Sequence, residues 1–404
     1  MKKYFCLLLT TLTLFSCNKQ EKTKLLVISI DGYRHDYTEL YSPPFLTKFS
    51  NEGARLRSLR PSFPTKTFPN HLSIMTGVYP MNHGIIANHF YAPDLEKRYS
   101  LKDRSSVTDG RFYKALPFWA LAKKNGIKSA TLFWPGSEAE VLGYRPDFYL
   151  DYEHTMPHEA RISKVLEWLS DKTENAPQFL TLYFSDVDSA GHKFGPEAQE
   201  TREAVLKVDR SIESLLSQAL KIEPNLNIIV LSDHGMQALV AENKELLFKK
   251  SNDYIRSLYF IEGHGPISHL YKKSNIVTNI SKDIEAINKT AKNFKCYSPM
   301  TTPKQLKFHS NVRIGDIVCI ADDQWNIILN VDDKLSLGNH GWNQHETNDM
   351  DAIFYAKGPK FKTSYVHKSV DNINIYPLFA YIFGIKIDHG IDGNFAPIMG
   401  ILKQ

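Results

Sequence analysis

The residues best suited to chemistry are a threonine, three aspartates and three histidines. Thr67 stands in the stretch Pro64 to His71, PTKTFPNH. Pro69 suits the first turn of a helix, where its missing N–H costs nothing, and Gly77 closes a helical run over His71 to Thr76. Thr67 is therefore expected just ahead of a helix N-terminus. Unpaired amides and the positive end of the helix dipole favour an anion there, so its hydroxyl can meet a phosphoryl group. The same position suits a plain cap or turn residue, and this stretch by itself leaves both readings open. Asp188 and His192 are four apart in DVDSAGH, with Gly191 allowing a sharp turn. Asp233 and His234 are adjacent in SDHGM, where Gly235 permits unusual dihedrals, and His340 falls in GNHGW. Single acids after strands commonly form turns or caps. With Asp31, however, three histidines and three aspartates on loops above one sheet make the ligand set expected for two zinc ions.

The elements that must position these residues are legible in the hydrophobic pattern. Leu25 to Ile30, LLVISI, is a continuous apolar run of the kind buried on both faces of a parallel sheet, and Asp31 follows it. Phe179 to Phe184 runs into Asp186 and Asp188, and Asn227 to Leu231 into Asp233 and His234. Helical patterns lie between, at Pro44 to Glu52, Pro117 to Asn125, His158 to Ser170 and Pro196 to Leu220. Alternating strands and helices predict an α/β fold, a central mostly parallel sheet with helices on both faces. In such folds ligands gather at the carboxyl ends of strands, where these acids fall.

ISIDGYRHDY, PSFPTKTFPNH, GVYPMNHGIIANHFY, DVDSAGHKFGP, LSDHGM and NHGW occur in that order. Together they resemble the nucleotide pyrophosphatase/phosphodiesterase family of the alkaline phosphatase superfamily, over essentially the whole chain from about Lys24. The resemblance implies one metal held by Asp188, His192 and His340. It implies a second held by Asp31, Asp233 and His234, with Thr67 as oxygen ligand and nucleophile. Asn88 matches the residue whose amide holds a non-bridging phosphate oxygen, and Phe68 and Tyr152 match aromatics that sandwich a nucleobase. Where the family continues HGYDN, Trp342, Asn343 and Gln344 follow Gly341, and Asp186 and Val187 replace the usual glutamate and proline before the ligating aspartate. Asp188 rather than Asp186 is the expected ligand, because its spacing to His192 is kept. The other histidines, His71 and His345 among them, read as surface or hydrogen-bonded structural residues, with His345 close enough to exchange places with His340.

These residues imply a two-zinc phosphodiesterase or nucleotide pyrophosphatase that releases a nucleoside monophosphate through a phosphothreonine. Other reactions of the superfamily compete: hydrolysis of choline-headgroup or lysophospholipid diesters, and of phosphomonoesters or phosphonates. A protein that binds metal or nucleotide without turnover is the non-enzymatic alternative.

The chain has 404 residues, 42% hydrophobic and 23% charged, enough for a sizeable core. A formal charge of +5 is too small and dispersed to point to polymeric nucleic acid. Lys2 and Lys3 precede an apolar run, Tyr4 to Phe15, too short to span a bilayer but suited to a secretory signal. Leu14-Phe15-Ser16-Cys17 resembles a bacterial lipobox, which implies export and a lipid on Cys17 holding the protein to a bacterial membrane, periplasmic or cell-surface side. A plain cleaved signal is the alternative. The expected organisation is a signal over 1–17, a tether over 18–24, a catalytic part over 25–236, a mixed inserted cap over 237–334 and a second catalytic part over 335–404. Within the cap, strands are expected near Ser257 to Ile261, Ile267 to Tyr271, Phe294 to Tyr297 and Asp316 to Ile320, with a helix near Ser281 to Thr290. The chain returns to the sheet at Ala352 to Ala356 and ends on an apolar helix near Ile373 to Phe383. Cys296 and Cys319 can form a disulfide or remain two buried thiols.

Overall fold

The computed structural model describes residues 22–403, so the expected signal, with Cys6 and Cys17, lies outside the described residues. The expected tether overruns into the fold. Lys24 is buried, its ammonium 2.9 Å from Glu223, and its carbonyl accepts from the Asn227 amide at 3.1 Å.

The fold is α/β. Its eight-stranded sheet has the order 365–367, 54–56, 354–357, 227–231, 25–30, 179–184, 129–132 and 148–150. All pairings are parallel except those of Phe354–Lys357, which runs against both of its neighbours. The expected return strand at Ala352 to Ala356 is thus shifted slightly and lies antiparallel in the sheet.

Leu25–Ile30 is wholly buried and alternates between two apolar layers. Leu26, Ile28 and Ile30 pack with Leu180, Leu182, Ile228 and Val230 against the helices His158–Ser170 and Gln199–Ile222. Leu25 and Val27 face Ile74 and Met75 of Thr67–Thr76 and the apolar helix Ile375–Phe383. Ser29 shares that second face, and this places a hydroxyl beneath the helix that begins at Thr67. The long helix starts at Gln199 rather than at Pro196 and buries Val205, Val208, Ile212, Leu215, Leu216 and Ala219 at helical spacing. Asp209 on the same face turns its carboxylate onto the Phe45 and Leu46 amides at 3.1 and 2.7 Å. It thereby satisfies the N-terminus of Pro44–Glu52.

The segment after the third central strand carries a four-stranded antiparallel sheet, in the order 259–262, 267–272, 317–321 and 294–297. Its first strand is Tyr259–Glu262, because Asp253–Leu258 winds into a 3₁₀ turn that takes up the expected Ser257 and Leu258 positions. Cys296 faces Cys319 in register on adjacent strands, and the two form a disulfide. Phe308, Ile314, Val318 and Ile320 share one apolar cluster with Phe63, Leu72, Ile85 and Phe90. Arg313, fully buried, reaches from this segment to Asp94 with two bonds of 2.8 Å and to the carbonyls of Gly84 and Phe112.

Candidate metal centre and nucleotide cleft

The parallel register delivers Asp31, Ser185 and Ser232 to the same edge of the sheet, just beyond the ends of three adjacent strands. From there the site differs from the expectation in local structure. Asp188 and His192 lie on a helix, Asp186–Phe194, and not in a loop. Their four-residue spacing puts them on one face of it. Gly191 is therefore an interior helical residue, tight against Met236, and neither it nor Gly235 adopts left-handed backbone. Gly235 is required for closeness: a Cβ there would lie 2.1 Å from the Asp349 carbonyl oxygen. Thr67, expected just ahead of its helix, is the first residue within it. Lys66 is the N-cap and Gly77, at φ 70°, ends the helix.

The expected ligands converge as two groups. His192 Nε2 lies 3.4 Å from Asp188 Oδ1 and 3.2 Å from His340 Nε2, and His340 Nε2 is 3.7 Å from Asp188 Oδ1. In the other group His234 Nε2 lies 3.4 Å from Asp31 Oδ1 and 3.1 Å from Asp233 Oδ2. Thr67 Oγ1 is 3.3 Å from the same nitrogen. His234 also borders the first group, its ring stacked on that of His340 with centroids 3.6 Å apart. His345 is exposed and pairs with Gln344, so it does not exchange places with His340. Asp186 is bound instead by His158 at 2.9 Å and Lys207 at 2.7 Å.

Hydrogen bonding fits these groups to cations. Nδ1 of His192, His234 and His340 faces the carbonyls of Gly338, Gly235 and Thr65 at 2.8, 2.8 and 2.7 Å. A carbonyl only accepts, so each Nδ1 carries the proton, and in a neutral ring Nε2 is left as a lone pair aimed at the centre. Asp31 Oδ1, Asp188 Oδ1 and Asp233 Oδ2 are buried oxygens without a hydrogen bond. Burial, with the charges of Asp233 and Asp188, drives the Asp31 carboxyl well above the usual range. Burial alone would raise Asp233 too, but His234 and His71 outweigh it and hold it low. Burial, reinforced by His234, Lys66 and His192, keeps His340 neutral. Bare imidazole nitrogens among carboxylates that cannot all stay charged form a donor set suited to divalent metal.

His71, expected as a surface or hydrogen-bonded structural residue, is a buried hydrogen-bonded one, and it braces the site. Its Nδ1 lies 2.9 Å from the Thr67 carbonyl and 3.3 Å from Asp233 Oδ2, while Nε2 meets Ser29 Oγ at 2.8 Å. It holds the first helical turn, an expected ligand and the central strand together. Its place one turn after Thr67 was visible in the sequence, but the burial that makes it a brace was not. The divergent loop after His340 is likewise secured: Thr65 Oγ1 takes the Gly341 amide at 2.8 Å and donates to the Trp342 carbonyl at 3.1 Å.

A cleft of about 460 Å³ opens over Thr67. Phe68, Asn88, Tyr152, Trp134 and Arg104 are among its walls. Phe133 and Trp134 follow the strand Ser129–Leu132, and Tyr152 follows Phe148–Leu150, so the outer strands of the same sheet edge build this side. Asn88 Oδ1 accepts from the Phe68 amide at 3.0 Å, which leaves its NH2 to donate elsewhere. Phe68 sits edge-on to Tyr99 at 6.0 Å and Tyr152 edge-on to Phe133 at 5.4 Å. Glu138 accepts from the Tyr152 amide and pairs with Arg104. A larger groove of about 1200 Å³ beside His158 and Lys207 contains neither Thr67 nor any expected metal ligand, so size alone does not mark the reactive cleft.

The model of the family described as type I phosphodiesterase/nucleotide pyrophosphatase matches residues 25–343. Ectonucleotide pyrophosphatase/phosphodiesterase family member 1 of Mus musculus is 36% identical over 95% of this chain and 43% of its own length. Venom phosphodiesterase of Naja atra is 34% identical over 91% of this chain and 45% of its own. The chain thus spans less than half the length of these relatives. Among solved structures, murine ectonucleotide pyrophosphatase/phosphodiesterase 5, as an inactive threonine-to-alanine variant in complex with AMP, superposes with a TM-score of 0.87 at 28% identity. The match covers 95% of this chain and 100% of that one. The chain belongs to the type I phosphodiesterase/nucleotide pyrophosphatase family.

Replacing His71 by alanine strips partners from Ser29, Asp233 and the Thr67 turn. A loss of about 2 kcal/mol in denaturant unfolding is expected, with metal retention weakened roughly tenfold or more in chelator competition. Unchanged metal retention would show that His71 serves packing alone.

Proposed function

We propose that this protein hydrolyses nucleotide phosphodiester or pyrophosphate bonds and releases a nucleoside monophosphate, with Thr67 as nucleophile. The observation that carries the reading is the position of Thr67. Its hydroxyl opens a helix, borders the Asp31, Asp233 and His234 group, and faces a cleft walled by Phe68 and Tyr152. Two divalent cations, zinc by the nitrogen and carboxylate donor set, would be held by Asp188, His192 and His340 and by Asp31, Asp233 and His234 with the Thr67 oxygen. Bound there, they supply Lewis acidity to the phosphoryl group and lower the pKa of coordinated hydroxyls.

Thr67 Oγ1 gives up its proton and bonds to phosphorus while the bond to the leaving oxygen breaks with its electron pair, and the released proton ends on the leaving oxygen or in solvent. The amide NH2 of Asn88 and the free amides of the first helical turn hold the non-bridging oxygens. Water then cleaves the phosphothreonine, frees the monophosphate and restores the proton to Thr67. Phe68 and Tyr152 stack the base, at about 1 to 3 kcal/mol per stacked base. The inactive threonine variant and AMP complex of the murine structure accord with this reading.

We further propose that the protein is exported and tethered through a lipid on Cys17. The disulfide suits an oxidising compartment, and the relatives carry names of ectoenzymes and venom enzymes. Among the described residues no helix is long and apolar enough to cross a membrane.

Thr67→Ala is expected to lower turnover of the nitrophenyl ester of AMP by at least about 1,000-fold with metal content unchanged; near-normal turnover ends the nucleophile assignment. In the wild type, that ester should be cleaved faster than nitrophenyl phosphocholine or nitrophenyl phosphate, and a chelator should abolish the reaction. A preference for the phosphocholine ester would transfer the protein to the lipid-headgroup class. Cys17→Ser should move the protein from the membrane to the soluble fraction, and continued membrane retention would refute the anchor.

A further inference from the structure

The chain enters its first strand at Leu25, at the end of the sheet opposite the metal centre. Parallel strands begin together, so the loops leading into Ser129, Phe179 and Asn227 share this face, as does the turn after Phe354–Lys357, which runs the other way. Main-chain groups knit these pieces into one surface. The Asn227 amide donates to the Lys24 carbonyl at 3.1 Å, the Lys360 amide to Asn227 Oδ1 at 3.0 Å, and the Lys403 amide to the Lys360 carbonyl at 3.0 Å. Lys172 Nζ adds the end of the long helix by donating to the Ile222 carbonyl at 3.3 Å.

Lysine dominates the surface so formed. Lys22, Lys221, Lys360 and Lys403 are exposed, and none of them forms an ion pair among the described residues. Lys172 is also exposed, 3.8 Å from Glu223, but that carboxylate is buried and already lies 2.9 Å from Lys24. Neighbouring acids are largely taken up: Glu52 pairs with Lys357 at 2.6 Å, and Asp147 lies 3.5 Å from both Lys123 and Lys128. Asp171 and Glu174 alone on this face stand without an ion pair among the described residues. Uncompensated positive charge thus gathers where the polypeptide leaves for its N-terminus.

Cys17 precedes Lys22 by five residues, which span at most about 18 Å. A lipid on Cys17 therefore keeps this face, and no other, within reach of the bilayer surface, where each ammonium is attracted by anionic headgroups. We infer that the face carrying Lys221, Lys360 and Lys403 rests on a bilayer of anionic phospholipid, and that the cleft over Thr67 opens away from it. The inference rests on the lipid anchor proposed above and adds a consequence for the reaction. The length of the strand Leu25–Ile30 sets the site on the order of 20 Å from the lysine face. Substrate then arrives from solution, and phosphodiesters in the headgroups of the anchoring membrane stay out of reach of Thr67.

The lipidated full chain is reconstituted on phosphatidylcholine vesicles with and without phosphatidylglycerol, its amines are acylated from solution, and the sites are read by mass spectrometry. Phosphatidylglycerol should slow labelling of Lys221, Lys360 and Lys403 about fivefold or more, while Lys102, on the cleft wall, labels at an unchanged rate. Equal labelling on both vesicles, or protection of Lys102 instead, overturns the orientation. In the Cys17→Ser chain, which lacks the lipid, cosedimentation with phosphatidylglycerol vesicles at low ionic strength reads the surface alone. Lys221→Gln, Lys360→Gln and Lys403→Gln together should lower that partition at least about tenfold with turnover of the nitrophenyl ester of AMP unchanged, and the three arginine replacements should hold it within about threefold. A partition indifferent to the glutamine changes overturns the surface and leaves the anchor intact. A wild type found without lipid on Cys17 ends the anchor reading, and the orientation with it.

Discussion

Three carboxylates brought to the edge of one parallel sheet, largely out of water, form the constraint on which the rest of this structure turns. Asp31, Asp188 and Asp233 each keep an oxygen without a hydrogen bond, and mutual repulsion with burial drives the Asp31 carboxyl up. Unpaired carboxylates are costly to bury, so the fold must supply positive charge at that point. Imidazoles with a bare Nε2 bring no charge of their own but are suited to hold a cation there. Backbone carbonyls of Gly338, Gly235 and Thr65 fix the proton on Nδ1 and turn Nε2 inward. The site is thus prepared by main-chain groups from distant parts of the chain, which explains why the loop after His340 can depart from the family sequence and still hold its histidine.

The same sheet edge does three jobs because parallel strands end together. The central strands deliver the acids, the outer strands deliver Phe133, Trp134 and Tyr152, and the helix beginning at Thr67 lies against the face that carries Ser29. His71 ties that helix to the strand and to Asp233. The position of Thr67 is therefore set by the core as much as by the site. On the other side, the antiparallel segment is fastened by the Arg313 bonds and a shared apolar cluster.

The aromatic cleft mixes acids and bases, with Glu138 framed by Arg104 and the Tyr152 amide. The smaller cavity beside it holds Lys66 among imidazoles, of which burial keeps His89, His269 and His340 from protonating.

Residue types and short spacings by themselves singled out the groups that the fold brings together above the sheet. The apolar run ending at Asp31, the pair at Asp233 and His234, and the strands at Phe179 and Asn227 all stand where the hydrophobic pattern put them, because fully buried parallel strands write an unbroken local signal. Local pattern could not say that Asp188 and His192 ride a helix, since that helix is short, polar and glycine-containing, and it is held by contacts with Met236 and Gly338. Nor could it make His71 a brace or choose between thiols and a disulfide at Cys296 and Cys319. The second cavity beside Lys66 was equally out of reach. Each of these depends on which distant segments meet, and that is decided by packing and register rather than by anything within a few residues along the chain.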